Sequence, residues 1–444
     1  MALVLRDGRI TQVTFDADGC GAAIAAGSAV VSLVEGRSVL DAARVGATDV
    51  SGELGGLSAG KFHAADLAAD ALHRALAGAC AVNDEPLAQP RPGRVLVAMS
   101  GGVDSAVAAL LHAQAGDEVV AVTLKLWADQ EGDGERSCCS PQAVIGARAL
   151  AHSMGLAHLT LDLEGSFRET VVEPFVAEHV AGRTPNPCVR CNGQVRFDAM
   201  LALAERLGAD ALATGHYARI EHDADGPLLA RATDPHKDQT YMLSALRPEA
   251  LARVRFPLGE LTKPQVREIA AAAGLPVAEK RDSQDLCFLA GTSRERFLAR
   301  HGGGRDRPGE VVDSGGRVLG HHPGHRRFTV GQRRGLGVAA GEPLFVLSTH
   351  AAANRVVVGP REALAARTVV LRDVTLNRDG QRVDSVKLRY RSEALPCRVT
   401  AAAGSHTALE VVLDEDTLGV APGQTACLMD GDLVVGHGTI AAPS

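Results

Sequence analysis

A chain of 444 residues with 46% hydrophobic content is long enough for about three separately cored units, and its formal charge of −7 excludes a protein that coats nucleic acid through bulk positive charge. A local basic patch for a folded RNA is still compatible with that balance. No apolar run approaches the roughly 18 residues of a membrane span, and MALVLRDGRI meets charge too early for a signal peptide, so the chain reads as cytoplasmic with no membrane partner.

Residues 1–82 are Ala-rich and mixed α+β in pattern, and NDEPLAQPRPG (83–93), with its three prolines, reads as a linker. From Arg94 the pattern predicts strand RVLVAMS, a helix from Asp104, strand EVVAVTLKLW, a helix from Pro141, strand HLTLDL and a helix from Ser166. TPNPCVRCN (184–192) follows as a loop, because two prolines bar helix and central strand; then come a helix over Gln194–Leu207 and the short strand ALATGHY. This α/β order predicts a parallel sheet over 94–295, with ligands at the carboxyl ends of its strands. A small central domain is expected over 296–362 and a β-rich, barrel-like unit over 363–444, from runs such as FTVGQRRGLGV, RVVVGP, SVKLRYR and TALEVVLDE.

Three local patterns carry chemistry. SGGVDS (100–105) sits between a buried strand and a helix, where a Gly-rich turn aims backbone N–H groups at phosphate oxygens; it lacks a Walker ending, and a turn capped by Asp104 or Ser105 is the plain alternative. Cys188 and Cys191 in CVRC could be half of a metal site, a redox pair or working sulfurs. The pattern disfavours a zinc ribbon, since that needs two C-x-x-C knuckles and only one exists. Cys138 and Cys139 are adjacent, which disfavours a bond between them and leaves exposed thiols or a partner contact. The nine cysteines, in a reducing compartment, favour catalysis or metal binding over disulfide staples.

From about Arg94 to the C-terminus the chain resembles the tRNA-specific 2-thiouridylases. The resemblance rests on MSGGVDS, AGRTPNPCVRCN, GADALATGHYAR, KDQTYML, FPLGELTKPQVREIA, DSQDLCFL, TVGQRRGLG, VKLRYR and APGQTA. It implies adenylation of a wobble uridine by ATP with Mg2+, then displacement of AMP by a persulfide sulfur. Cys191 matches the nucleophilic cysteine and Cys287 the persulfide carrier, with a Cys191–Cys287 disulfide on release. Ala98, Met99, Ser100, Gly101, Gly102, Val103, Asp104 and Ser105, with Leu124 and Gly215, match the ATP site. Asn186, Pro187 and Cys188 match the target-base segment. Lys237, Asp238 and Gln239, then Arg389 and Tyr390, match tRNA contacts, and His216 and Gln424 match positions that assist them.

Two departures stand out. Many members carry aspartate where this chain has Cys188, so Cys188, Cys191 and Cys287 form three converging thiols, which suit either persulfide relay or three ligands of a [4Fe-4S] cluster. The N-terminal segment resembles U-type iron–sulfur scaffold proteins: Cys20 and His63 fall on ligand positions, but Ala64 replaces a ligand cysteine. A cysteine desulfurase or sulfur-relay protein is the partner this implies. Another pyrophosphatase-loop ligase, or an iron–sulfur assembly or carrier protein, is the rival reading.

Overall fold

The computed structural model describes residues 1–82, 85–127, 140–280, 286–302 and 306–441; Cys138 and Cys139 fall outside them. At its centre five strands pair in parallel in the order Ala157–Asp162, Glu118–Lys125, Arg94–Ala98, Ala211–Thr214 and Val254–Arg255. Arg94–Ala98 is buried almost end to end, as a strand covered on both faces must be. Val95 and Val97 pack with helices Val103–Gln114 and Lys263–Ala272, whereas Leu96 packs on the opposite face with helix Phe197–Arg206. The strand order reverses beside Arg94–Ala98, which opens a crevice at the ends of that strand and Ala211–Thr214.

The N-terminal unit is a hairpin, Ala2–Arg6 with Arg9–Thr14, followed by helices that include Gly21–Val34 and Phe62–Val82. It shares one apolar core with the sheet, from Leu72 and Leu76 through Leu96, Val120 and Val122. Polar contacts register it. Asp70 pairs with Arg148 at 3.0 Å, and the Ala43 carbonyl accepts from the His158 backbone N–H at 2.9 Å and meets His152 Nε2 at 3.1 Å. The described part of the 83–93 stretch is fastened too: the Arg206 carbonyl accepts from Leu87 N at 2.7 Å, and the Gly208 carbonyl from Arg91 N at 3.0 Å.

Beyond the sheet, a four-stranded mixed sheet covers 309–359, and six antiparallel strands between Ala365 and Ile440 close into a barrel where Ala365–Leu376 pairs with Leu433–Ile440. The hairpin Arg219–Asp223 with Gly226–Ala230 leaves the nucleotide domain and adds itself to the edge of the barrel at Leu433. Asp223 fixes it there through Arg378 at 2.7 Å and Arg382 at 2.6 Å.

Three local expectations are corrected. The helix expected from Gln194 begins at Pro187, because proline at the first helical position needs no N–H partner; it then runs through a wide π turn into Phe197–Arg206. The helix expected from Ser166 starts at Glu164. Residues 328–338 form no strand, and Gly331, Gly335 and Gly337 there take φ of 85°, 78° and 68°, values that interrupt an extended ladder.

Buried histidines at the N-terminal junction make the fold pH-sensitive. Burial first, with repulsion from Arg148, pulls His73 to about 3, lowers His152, and holds His158 well below its ordinary value. The folded chain therefore binds fewer protons than the unfolded one between about pH 6.5 and about 3. Stability falls as pH drops below 6.5, by up to about 1.4 kcal/mol per pH unit for each histidine that stays neutral. Thermal unfolding followed from about pH 7.5 to about pH 5 should show this fall, and His73→Gln, which keeps a donor for the Val45 carbonyl, should make it shallower; parallel slopes would contradict it.

Candidate active site

SGGVDS forms the turn between strand Arg94–Ala98 and helix Val103–Gln114, with Gly101 at φ 71°, a left-handed value that favours glycine. Ser105 ties the turn together: its Oγ accepts from Ser100 N at 3.2 Å and donates to the Gly102 carbonyl at 3.0 Å. Asp104 does not cap the helix. Its carboxylate accepts from Lys263 Nζ at 2.6 and 2.8 Å and from the Tyr217 hydroxyl at 2.8 Å. Lys280 Nζ donates to the Gly101 carbonyl at 2.8 Å. Backbone N–H groups and a helix N-terminus are thus left to face the crevice, the arrangement that suits phosphate.

That crevice is a cavity of about 1540 Å³, lined at one end by Ala98, Met99, Ser100, Gly102–Ser105, Leu124 and Gly215, and at the other by Lys237 together with Tyr390 and Arg391 from across the domain boundary. Its described wall carries six Lys or Arg (Arg196, Arg231, Lys237, Lys280, Lys387, Arg391) against four carboxylates (Asp104, Asp238, Glu393, Asp432). A chain of net charge −7 therefore presents a locally basic hollow, large enough for a nucleotide and an extruded base together.

The sulfur residues lie behind one wall of this cavity. Cys191, 4% exposed, belongs to an apolar cluster with Leu126, Phe175 and Phe288, and half-buried Cys287 packs on the same cluster. Leu124 and Leu126 line the cavity and also touch that cluster, so they form the partition between nucleotide loop and thiols. Among the described residues no group of three or more His, Cys, Asp or Glu side chains is arranged to hold a metal ion.

Comparison with known proteins bears directly on this hollow. Residues 93–291 match the tRNA methyl transferase HUP domain family, 295–360 the tRNA methyl transferase PRC-barrel domain, 370–440 the aminomethyltransferase beta-barrel domain, and 1–81 the NifU-like N terminal domain. The "Bifunctional protein NifU/MnmA" of Rubrobacter xylanophilus is 47% identical, with 98% of this chain and 89% of that protein covered. The "tRNA-specific 2-thiouridylase MnmA" of Geobacter metallireducens is 45% identical over 79% of this chain and 97% of that one. The chain belongs to the tRNA-specific 2-thiouridylase family. It is an enzyme of tRNA thiolation, fused to a NifU-like N-terminal domain. Among the described residues no helix is long and apolar enough to cross a membrane.

Of the positions carried over from the 2-thiouridylases, His216, Lys237, Asp238, Gln239 and Tyr390 line the cavity, and several of them are also tied to protein partners. Asp238 is buried, and its carboxylate accepts from Ala232 N at 3.2 Å and Thr240 Oγ1 at 2.8 Å, with Lys387 at 3.9 Å. Gln239 lines the cavity but its Oε1 accepts from Tyr217 N at 2.9 Å. His216 is neutral, pulled to about 4 by burial and then Arg196, and its Nδ1 bonds Thr214 Oγ1 at 2.8 Å. Arg389 donates to the Gly419 carbonyl, while its neighbour Tyr390 faces the cavity. Gln424 donates to the Thr184 carbonyl at 2.6 Å, and Asn186 accepts from Cys188 N at 3.1 Å, so both shape the CVRC helix start. Pro187 is buried at that start.

Sequence reading passed over Lys263, Lys280 and Tyr217. A lysine at the first position of a helix opposes the helix dipole, and that misfit was the available sign that Lys263 has a carboxylate partner. Removing the Asp238 carboxylate leaves buried donors unpaired, so Asp238→Ala should lower stability by about 2–4 kcal/mol in chemical denaturation. A loss of tRNA affinity at unchanged stability would contradict this reading.

Proposed function

We propose that the chain converts the wobble uridine of tRNA to 2-thiouridine by adenylation followed by sulfur transfer. The observation that carries this reading is one cavity spanning the SGGVDS turn and Tyr390, with Cys191 and Cys287 behind its Leu124–Leu126 wall. ATP binds with its phosphates on residues 98–105 and its nucleoside toward Leu124 and Gly215. The base enters from the barrel side, stacked by Tyr390, and the basic wall holds the RNA backbone near Lys237.

The uridine O2 attacks the α-phosphorus and pyrophosphate leaves, which makes the base oxygen a leaving group as AMP. The terminal sulfur of a Cys287 persulfide then attacks C2 and AMP departs, giving a Cys287–S–S–base link. Cys191 thiolate attacks the Cys287 sulfur, forming the Cys191–Cys287 disulfide and freeing the 2-thiouridine; a cellular thiol reductant resets the pair. Shared residence in one apolar cluster suits this last exchange. Mg2+ bound to ATP would supply charge neutralisation at the phosphates.

The N-terminal domain supports sulfur entry from a cysteine desulfurase or relay protein. Cys20 is exposed at the start of helix Gly21–Val34, where the N–H groups of Ala23 and Ala22 lower its thiol pKa, and His63 is exposed while Ala64 is buried. A ligand lost at Ala64 leaves a thiol for transfer and not a cluster cage.

Cys191→Ser and Cys287→Ser should each abolish thiolation, read by nucleoside mass analysis, while tRNA-dependent pyrophosphate release continues in Cys287→Ser. Thiolation retained in either variant with a physiological donor would overturn the two-cysteine scheme. In the intact chain, Cys20→Ser should slow desulfurase-driven thiolation more than sulfide-driven thiolation; equal rates under both supplies would remove its role.

A further inference from the structure

The phosphate turn itself offers only partial charges, from backbone N–H groups and a helix N-terminus. A triphosphate carries several full negative charges, more than one divalent cation offsets, so further positive charge is expected to reach the turn from side chains. Among the described residues two lysines do so, and they differ in what holds them. Lys263 is 8% exposed and sits against both oxygens of Asp104, at 2.6 and 2.8 Å. Its charge is neutralised inside the protein, and its effect on the turn passes through Asp104.

Lys280 is exposed and lines the cavity. Its Nζ donates to the Gly101 carbonyl at 2.8 Å, within SGGVDS, and no carboxylate among the described residues lies within ion-pair distance of it. An ammonium has three donors, and one backbone carbonyl uses one of them. Other cavity cations face elsewhere: Arg231 meets Asp432 at 3.7 Å, Lys387 meets Asp238 at 3.9 Å, and Arg391 stands over Tyr390 at 5.9 Å.

We infer that Lys280 is a phosphate-binding residue for ATP, swinging its remaining N–H donors onto the phosphate oxygens that seat in the turn, while Lys263 is a positioning residue acting through Asp104. The inference rests on the ATP reading above and adds a residue to it. Lys280 anchored on Gly101 places at the turn, before ATP arrives, a charge with no ion-pair partner among the described residues, which favours the leaving pyrophosphate as its charge grows.

The test is tRNA-dependent pyrophosphate release by the full chain with ATP and Mg2+. Lys280→Met should raise the KM for ATP by about tenfold or more with tRNA affinity unchanged, and Lys280→Arg should recover most of that loss. Because Lys280 is exposed, its variants should unfold at the parent's temperature, which verifies that the effect is local. Lys263→Met, by contrast, should lower kcat and unfold earlier, since it leaves the Asp104 carboxylate without its charge partner. An unchanged KM in Lys280→Met, or an equal rise in Lys280→Arg, overturns the assignment. A parent chain that releases no pyrophosphate sinks the ATP reading as well, whereas an active parent with an unaffected Lys280→Met sinks only Lys280.

Discussion

Two strand-end turns meet backbone to backbone at this site, and their approach sets everything around it. Gly215 lies so close to the SGGVDS helix start that a Cβ there would come within 2.7 Å of the Asp104 carbonyl carbon and the Ser105 nitrogen. Any side chain at that position would push helix Val103–Gln114 off the sheet. The contact is available because strand order reverses between these two strands, so no crossover helix fills the space beyond their ends. The phosphate turn, Asp104 with its lysine and tyrosine partners, and the near wall of the cavity all inherit their positions from it.

The far wall belongs to another domain, and polar contacts keep the two in register. Gln424 and Pro422 hold Thr184 at the entrance to the CVRC helix, and Glu178, its carboxyl held below the usual range first by Arg183, also receives Arg372 from the barrel at 3.2 Å. The 219–230 hairpin runs into the barrel edge, and the turn that follows it carries buried Asp238, whose carboxylate draws Lys387 toward the nucleotide domain. A base presented by Tyr390 and a nucleotide seated on SGGVDS would thus meet across these shared contacts.

Separation of thiols from nucleotide is the other consequence. An apolar cluster around Phe175, Phe288 and Phe297 surrounds Cys191 and half-buries Cys287, and Leu124 and Leu126 are shared between it and the cavity wall. In the proposed reaction such a partition shields the sulfur carrier from water until the base is activated. Cys188 places a third, half-buried thiol on the first turn of the helix that carries Cys191.

What the sequence determined by itself is what near neighbours encode. Apolar runs named four of the five central strands, the Gly-Gly segment was legible as a strand-to-helix turn, and alternating runs named two of the six barrel strands, Ser385–Lys387 and Gly404–Leu418; even the Pro187 helix start was a local signal, misread as a break. Side-chain destinations were a different matter. Asp238 and Gln239 line the cavity beside Lys237 and also bond Thr240 and Tyr217, and Arg389 bonds Gly419 while Tyr390 faces the cavity. Lys263 meets Asp104 across 159 residues, Lys280 meets Gly101 across 179, and Gln424 meets Thr184 across 240. Only tertiary structure decided these, because a charged or amide side chain goes to whichever buried partner the packing of distant elements brings within hydrogen-bond reach, and local pattern holds no record of that partner.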